Sequence, residues 1–418
     1  MKLISPSKNP GVIPSPHQLQ GHQPFVFFWF ARVFSAIAFQ ISAVAVGWQV
    51  YALTGSAFNL GMVGLVQFLP MVVLTLAAGH VADRYDRRKI VRTCQLIMGL
   101  AVTALAAGSY TGRLHVAGIF VVVAVIGASR SFEHPTMAAL LPRLVEAPLL
   151  PRAAAAVAAA VETAFIIGPA LGGLLYMAGA TAAYAVAASF FLSAGFFSAL
   201  IRIERTPSQI LSKEIDSLLS GVTFIWNHSV LLGAISLDLF AVLLGGATAL
   251  LPIYARDILH TGPWGLGVLR SAPAVGALGM SLILARHPIR RRIGQRMFAG
   301  VMVFGAATII FGLSNSMILS IGALIALGAG DVVSVVIRNP LVQIATPDRM
   351  RGRVSAVNSL FVGTSNQLGE FESGVTAAVL GTVPAVLVGG FGTILIALIW
   401  MRLFPELRKA DRFEGAPE

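Results

Sequence analysis

The positive charges of this chain fall on alternate connections between apolar stretches, and that segregation constrains the fold more tightly than any single motif. Stretches of the roughly 20 residues needed to cross a bilayer recur near 25–52, 58–82, 90–110, 115–137, 150–177 and 181–203. Six more follow near 229–256, 264–285, 296–314, 317–345, 354–378 and 384–404. Arg84, Arg87, Arg88, Lys89 and Arg92 follow the second stretch, Arg143 and Arg152 the fourth, and Arg202, Arg205 and Lys213 the sixth. Arg286, Arg290, Arg291, Arg292 and Arg296 follow the eighth, and Arg349, Arg351 and Arg353 the tenth. The two ends of the chain add Lys2, Lys8, Arg402, Arg408, Lys409 and Arg412 to the same side. Only Arg113 and Arg256 lie opposite, while Arg32, Arg130, Arg270 and Arg338 fall inside stretches. Basic residues concentrate on the cytoplasmic side of a membrane protein, so both tails and every even-numbered connection are expected there. An error of one in the span count would scramble this pattern. The expected fold is an all-α, polytopic membrane protein with twelve transmembrane helices, here spans 1 to 12.

Composition excludes the soluble alternative. Charged residues are 11% of the 418 and hydrophobic residues 56%, whereas a soluble domain carries about 25% charged residues. Such a chain needs lipid to cover most of its surface. The net charge of +12 would suggest nucleic acid in a soluble protein, but the aromatic residues lie in the spans and are not interleaved with a basic stripe. No nucleic acid partner is expected. The single cysteine, Cys94, excludes an internal disulfide. The eight histidines show no H-x-x-x-H or H-E-x-x-H spacing, so no metal site is expected, and no G-K-[ST] loop is present to hold ATP phosphates. An enzyme is not expected.

Residues 1–24 are polar and carry Pro6, Pro10, Pro14, Pro16 and Pro24, without the layout of a cleaved signal peptide. They read as a disordered cytoplasmic tail. Residues 25–203 and 229–404 read as two six-helix bundles, 204–228 as a cytoplasmic linker, and 405–418 as a second tail. Within the linker, 213–226 places charges early and apolar residues at helical spacing, as an interfacial helix would. The largest basic cluster follows the second span of each half, near 84–92 and 286–296, which implies internal duplication with a solute path between the halves.

Two motifs bear on movement. In the first, Gly79 lets span 2 approach a partner closely, and four residues on, Asp83 stands at the membrane edge. Asp83 can sit against a helix N-terminus and pair with Arg87 or Arg88. With Arg84 these residues form a charge cluster able to lock one conformation. In the second, Gly168, Pro169, Gly172 and Gly173 make span 5 kinkable and closely packed.

The run Gly79-His80-Val81-Ala82-Asp83-Arg84-Tyr85-Asp86-Arg87-Arg88-Lys89 resembles the G-x-x-x-D-R-x-G-R-[RK] loop of the major facilitator superfamily, departing from it at Asp86, where glycine is usual. Gly168-Pro169-Ala170-Leu171-Gly172-Gly173 is similar to the G-P-x-x-G-G signature of its proton antiporters. Ala31-Arg32, Thr346-Pro347-Asp348 and Gly352-Arg353-Val354 add likeness to the branch of bacterial enterobactin exporters and related drug-efflux proteins. The resemblance covers the whole chain. It implies two pseudo-symmetric bundles rocking by alternating access in a bacterial inner membrane. It further implies export of a siderophore or amphipathic drug by a monomer, driven by an ion gradient, chiefly protons, without a cofactor. A facilitator or importer of a nutrient or iron complex is the alternative within transport. A receptor or scaffold that no longer transports is the alternative outside it.

Charged residues within spans are costly and mark function. Glu133, Glu162 and Asp238 are candidates for proton coupling, since an acid without a local basic partner in a low-dielectric span favours its neutral form. Asp238 has no such partner nearby in the chain, whereas Glu133 and Arg130, three residues apart, could neutralise each other by pairing, or Glu133 could take a proton when Arg130 contacts substrate. Arg32, Arg130, Asp331, Arg338 and Glu370 are candidates for the substrate path. Asp331 and Arg338 share one face of span 10 and could pair with each other or with other spans.

Overall fold

The computed structural model describes residues 22–202 and 214–412, with the side chains of 75–77, 79, 80, 82, 83, 214–219, 348 and 349 left undescribed. The tail 1–21, the first part of the linker and 413–418 therefore lie outside the described residues. Everything described is helical or in short connections, with no strand among the described residues.

Spans 1 to 6 are the helices Gln23–Thr54, Ala57–Arg84, Arg87–Tyr110, Val116–Leu140, Leu150–Met177 and Ala180–Leu200. Spans 8 to 12 are Gly262–Arg286, Ile293–Leu313, Met317–Ile344, Asp348–Leu380 and Thr382–Leu403. The connection between spans 1 and 2 shows a local cause for a helix boundary. Gly55 adopts φ 57° and returns its N–H to the Tyr51 carbonyl, and Ser56 then caps span 2 by accepting from the Asn59 N–H. Left-handed backbone there suits glycine, which has no Cβ to clash.

Two spans differ from the expectation. Span 7, expected as one stretch, is the helix Ser229–Leu244 followed by a 3₁₀ turn Ala247–Leu250 and a π-helical turn Tyr254–Ile258. The break falls at Gly245-Gly246, where Phe304 of span 9 and Gly369 of span 11 approach too closely for a Cβ. Span 11 is a 33-residue helix, the expected element in the expected place, but its polar and charged residues keep it outside the eleven helices that are long and apolar enough to cross a membrane among the described residues. Six ionisable residues lie between Asp348 and Glu372. A span that polar needs protein around it rather than lipid, and it lies between span 2 and span 7.

The packing has a two-fold pattern. In the first half span 1 packs on spans 5 and 6, span 4 on spans 2 and 3, and span 3 on span 6. In the second half span 7 packs on spans 11 and 12, span 10 on spans 8 and 9, and span 9 on span 12. The halves meet mainly where span 5 lies on span 8 and span 2 on span 11. Exchanging the halves carries one contact into the other, which is the geometry of an internal repeat. The outer surface is apolar, with Val73 67%, Ile318 84% and Val379 77% exposed. Water cannot solvate so much apolar area without strong cost, whereas a bilayer can.

The linker helix Glu214–Trp226 does not lie free between bundles. Gly221 sits against the Arg353 carbonyl of span 11, Ser220 accepts from the Arg353 guanidinium at 3.1 Å, and Ile225 is buried with Leu231, Ile235 and Val354. This part of the connection is docked on the second half.

Candidate functional site

Each half buries a carboxylate among its first, third and fourth spans. In the first half it is Glu133 of span 4, only 1% exposed. Its Oε1 accepts from Ser35 Oγ of span 1 at 2.7 Å and from Gln95 Nε2 of span 3 at 3.0 Å. Gln95 Oε1 in turn accepts from Ser198 Oγ of span 6 at 2.6 Å. The chain of bonds ties four spans through groups with no water-facing surface, where each lost bond would leave an unpaired polar atom. Arg130 takes no part in it. Its guanidinium lies 3.8 Å from the centre of the Phe39 ring, a cation–π contact, and among the described residues it forms no ion pair with Glu133. The intrahelical Arg130–Glu133 pairing considered from spacing is thus replaced by two neutral donors from other spans. Gln95 was not legible as a participant, although an amide within an apolar span was the available signal.

In the second half Asp238 of span 7 forms an ion pair with Arg338 of span 10, both buried. The expectation that Asp238 lacks a basic partner is corrected here, because the partner comes from a span far along the chain. Asp238 and Asp331 line one pocket with Ser334, Ala241, Val242, Val301 and Phe304. Arg338 therefore pairs across spans rather than with Asp331 on its own helix. Among the described residues no metal-ligating cluster of three acidic, histidine or cysteine side chains forms.

The remaining candidates separate by location. Glu162 is exposed on span 5, and Arg32 is half-buried on span 1. Arg32 and Arg130 both lie within electrostatic reach of His134. Glu370 sits where span 11 meets span 2, with a Cβ on Gly64 standing only 2.9 Å from its own Cβ. Arg270 of span 8 is within its electrostatic reach.

Span 5 bears out the close packing read from its glycines. Gly168 and Gly172 lie against Gln40 and Ile41 of span 1, while a Cβ on Gly173 would stand 2.5 Å from the Pro263 carbonyl and 3.0 Å from Gly267 Cα of span 8. The motif therefore faces both its own bundle and the other half. Span 2 meets span 11 in the same manner, with 2.9 Å between a Cβ on Gly61 and Gly374 Cα. Both glycine pairs lie near the end opposite the basic loops. At that end Tyr51 of span 1 donates its hydroxyl to Asp257 in the last turn of span 7, and Arg256 donates to the Tyr51 carbonyl at 3.4 Å. The two halves are pinned together there.

At the basic end, Asp86 caps span 3. Its Oδ1 accepts from the Arg88 N–H at 3.0 Å, and its carboxylate takes the Arg88 guanidinium at 3.1 Å and 2.7 Å. Arg88 also donates to the Ile201 carbonyl at 3.3 Å and Arg87 to the Ala139 carbonyl at 3.1 Å. The loop thus grips spans 4 and 6 of its own half. The residue that departs from the familiar loop pattern supplies a partner to Arg88, while the side chains of Gly79 and Asp83 lie outside the described residues. Arg84 is exposed in the last turn of span 2.

Two repeated bundles with buried charge and a shared interface define a membrane transporter of the major facilitator fold, not an enzyme. A family model described as a transmembrane secretion effector matches residues 15–417, and the chain belongs to that family of the major facilitator superfamily. It is 29% identical over 93% of its length to the multidrug efflux pump Tap of Mycobacterium tuberculosis, covering 95% of that protein. It is 27% identical to the enterobactin exporter EntS of Citrobacter koseri, covering 96% of each chain. Among solved structures, a bacterial homologue of the human lysosomal transporter Spinster, in an inward-facing and unoccupied conformation, superposes with TM-score 0.76 at 10% identity over 96% of this chain and all of that one. The nucleoside transporter NupG, as its D323A mutant, gives TM-score 0.72 at 12% identity over 91% of this chain and all of that one. These two show the fold alone.

Proposed function

We propose that this transporter exports a small organic solute, a siderophore or an amphipathic drug, from the cytoplasm in exchange for inward-moving protons. The observation that carries export is the full-length similarity to two exporters, one named for drugs and one for enterobactin. The charge segregation supports cytoplasmic placement of the basic end in a bacterial inner membrane. With that orientation, the glycine pairs and the Tyr51–Asp257 contact close the outer end, the arrangement of a transporter that loads cargo from inside. Buried carboxylates in both halves support proton coupling, because a carboxyl can exchange charge for neutrality as its surroundings change. Proton uptake would then favour one of the two global states through differential affinity.

The test uses inverted membrane vesicles containing the protein, loaded with a pH gradient and supplied with ethidium or with iron-free enterobactin. Uptake against a gradient of either solute, abolished when a protonophore collapses the pH difference, is the expected result. Concentrative uptake that persists without the gradient rules out proton antiport. Accumulation of solute by intact cells in proportion to the protein would instead establish import.

A further inference from the structure

The second half departs from the first in what the two carboxylates lining its pocket are given. Gln95 and Val301 are each the ninth residue of the third helix of their half. In the first half that position supplies an amide donor to Glu133. In the second it supplies a valine, and Phe304 one turn on completes an apolar wall. Asp238 has a cation of its own in Arg338. Asp331, lining the same pocket, forms no ion pair or hydrogen bond among the described residues. Ser334, one turn along span 10, lines it too, is 2% exposed, and its Oγ has no hydrogen-bond partner. The Arg338 Nε likewise has none.

We infer that this pocket between spans 7, 9 and 10 is a proton-binding site, with Asp331 as the group that takes the proton and the Asp238–Arg338 pair as the fixed charge beside it. The inference rests on the proposed antiport and deepens it by naming the carrier. The physical case is one of desolvation. The half-buried Asp331 carboxylate, among Ala241, Val242, Val301 and Phe304, has lost part of its water and meets no opposite charge from spans 7 or 9, and the one nearby arginine is committed to Asp238. Neutralisation by a proton relieves that cost. A proton from water forms an O–H bond on an Asp331 carboxyl oxygen, and the Ser334 hydroxyl, an i, i+3 neighbour on the helix, lines the same pocket without a partner of its own. The O–H bond breaks and the proton returns to water when the pocket is exposed on the other side. The charged and titratable groups around the pocket are Asp238 from span 7 and Asp331 and Arg338 from span 10; span 9 contributes none.

The experiment is infrared spectroscopy of the purified full-length protein, following the C=O stretch of a protonated carboxyl as pH is raised. Wild type is expected to show such a band that disappears on titration. Asp331→Asn should remove it, Asp331→Glu should retain it at a shifted frequency, and Glu133→Gln should leave it in place. Variants are compared only if they elute as wild type on gel filtration, and Asp331→Glu keeps the test decisive if Asp331→Asn does not fold. A band unchanged in Asp331→Asn, or unshifted in Asp331→Glu, overturns the assignment, as does its loss in Glu133→Gln. A band that responds to replacing choline chloride by sodium chloride at constant pH overturns it in favour of a metal cation. The outcome is separable from the antiport reading, which fails on wild-type vesicles that concentrate solute after the gradient is collapsed.

Discussion

Asp238 and Arg338 form an ion pair buried between the first and fourth spans of the second half. Both side chains are almost wholly out of contact with solvent, so neither charge has water to fall back on if its partner is removed. Removing one member of a buried pair costs about 3–5 kcal/mol, whereas replacing both by apolar residues is often neutral. Asp238→Ala and Arg338→Met are therefore each expected to lower the thermal unfolding midpoint in detergent strongly, and the double variant to recover most of the loss. A double variant as unstable as the sum of the two would show that the residues act separately.

The Glu133 network is expected to be sensitive to its amide. Gln95→Leu removes one donor to a buried carboxylate and strands the Ser198 hydroxyl that donates to Gln95. A loss of about 1–3 kcal/mol follows from leaving a buried polar group unpaired. Thermal unfolding of Gln95→Leu against wild type measures it, and an unchanged midpoint would mean that the network does not hold the spans together.

At the end opposite the basic loops, bulk at the glycine contacts should part the halves. Gly173→Val and Gly374→Val each place side-chain atoms where the other half's backbone now lies. The expected result is greater access to that end, read as faster maleimide labelling of a cysteine introduced at Leu175 in a Cys94→Ala background, together with loss of transport. Labelling as slow as in the parent would place the hinge elsewhere.

Tyr51→Phe removes the hydroxyl bond to Asp257 while keeping the ring under Arg256, whose guanidinium lies 5.5 Å from the ring centre. A hydrogen bond to a charged group contributes about 1.5–3 kcal/mol, which is a shift of about tenfold or more between two states of similar energy. The same cysteine-labelling measurement should show an increase of that order, and no increase would mean that the contact does not favour the pinned state.

Asp86→Ala should cost about 1 kcal/mol through loss of the cap on span 3, while Asp86→Gly should cost only a few tenths. Thermal unfolding of the two variants side by side distinguishes a capping role from a purely electrostatic one, in which both would fall equally.

Much of the architecture was legible before any coordinates. Apolar length and alternating basic connections located the spans, eleven of them long and apolar enough to cross a membrane among the described residues, because the bilayer sets a minimum span and the positive-inside rule acts residue by residue. The break in span 7 was not legible, since Gly245-Gly246 reads as ordinary small-residue packing until Phe304 and Gly369 are seen against it.

The candidate charges tell the two levels apart. That Glu133, Asp238, Asp331 and Arg338 lie inside the membrane followed from the sequence, as did their cost and hence their interest. Which of them is satisfied did not. Asp238 gains its cation from span 10, Glu133 its donors from spans 1 and 3, and Asp331 neither. Partners in a helical membrane protein come from other helices, and which helix faces which depends on the packing of the whole bundle. Charge and hydropathy therefore determined the class, the span count and the expected orientation, while only the tertiary structure decided which of these acids is left with neither a cation nor a hydrogen-bond donor.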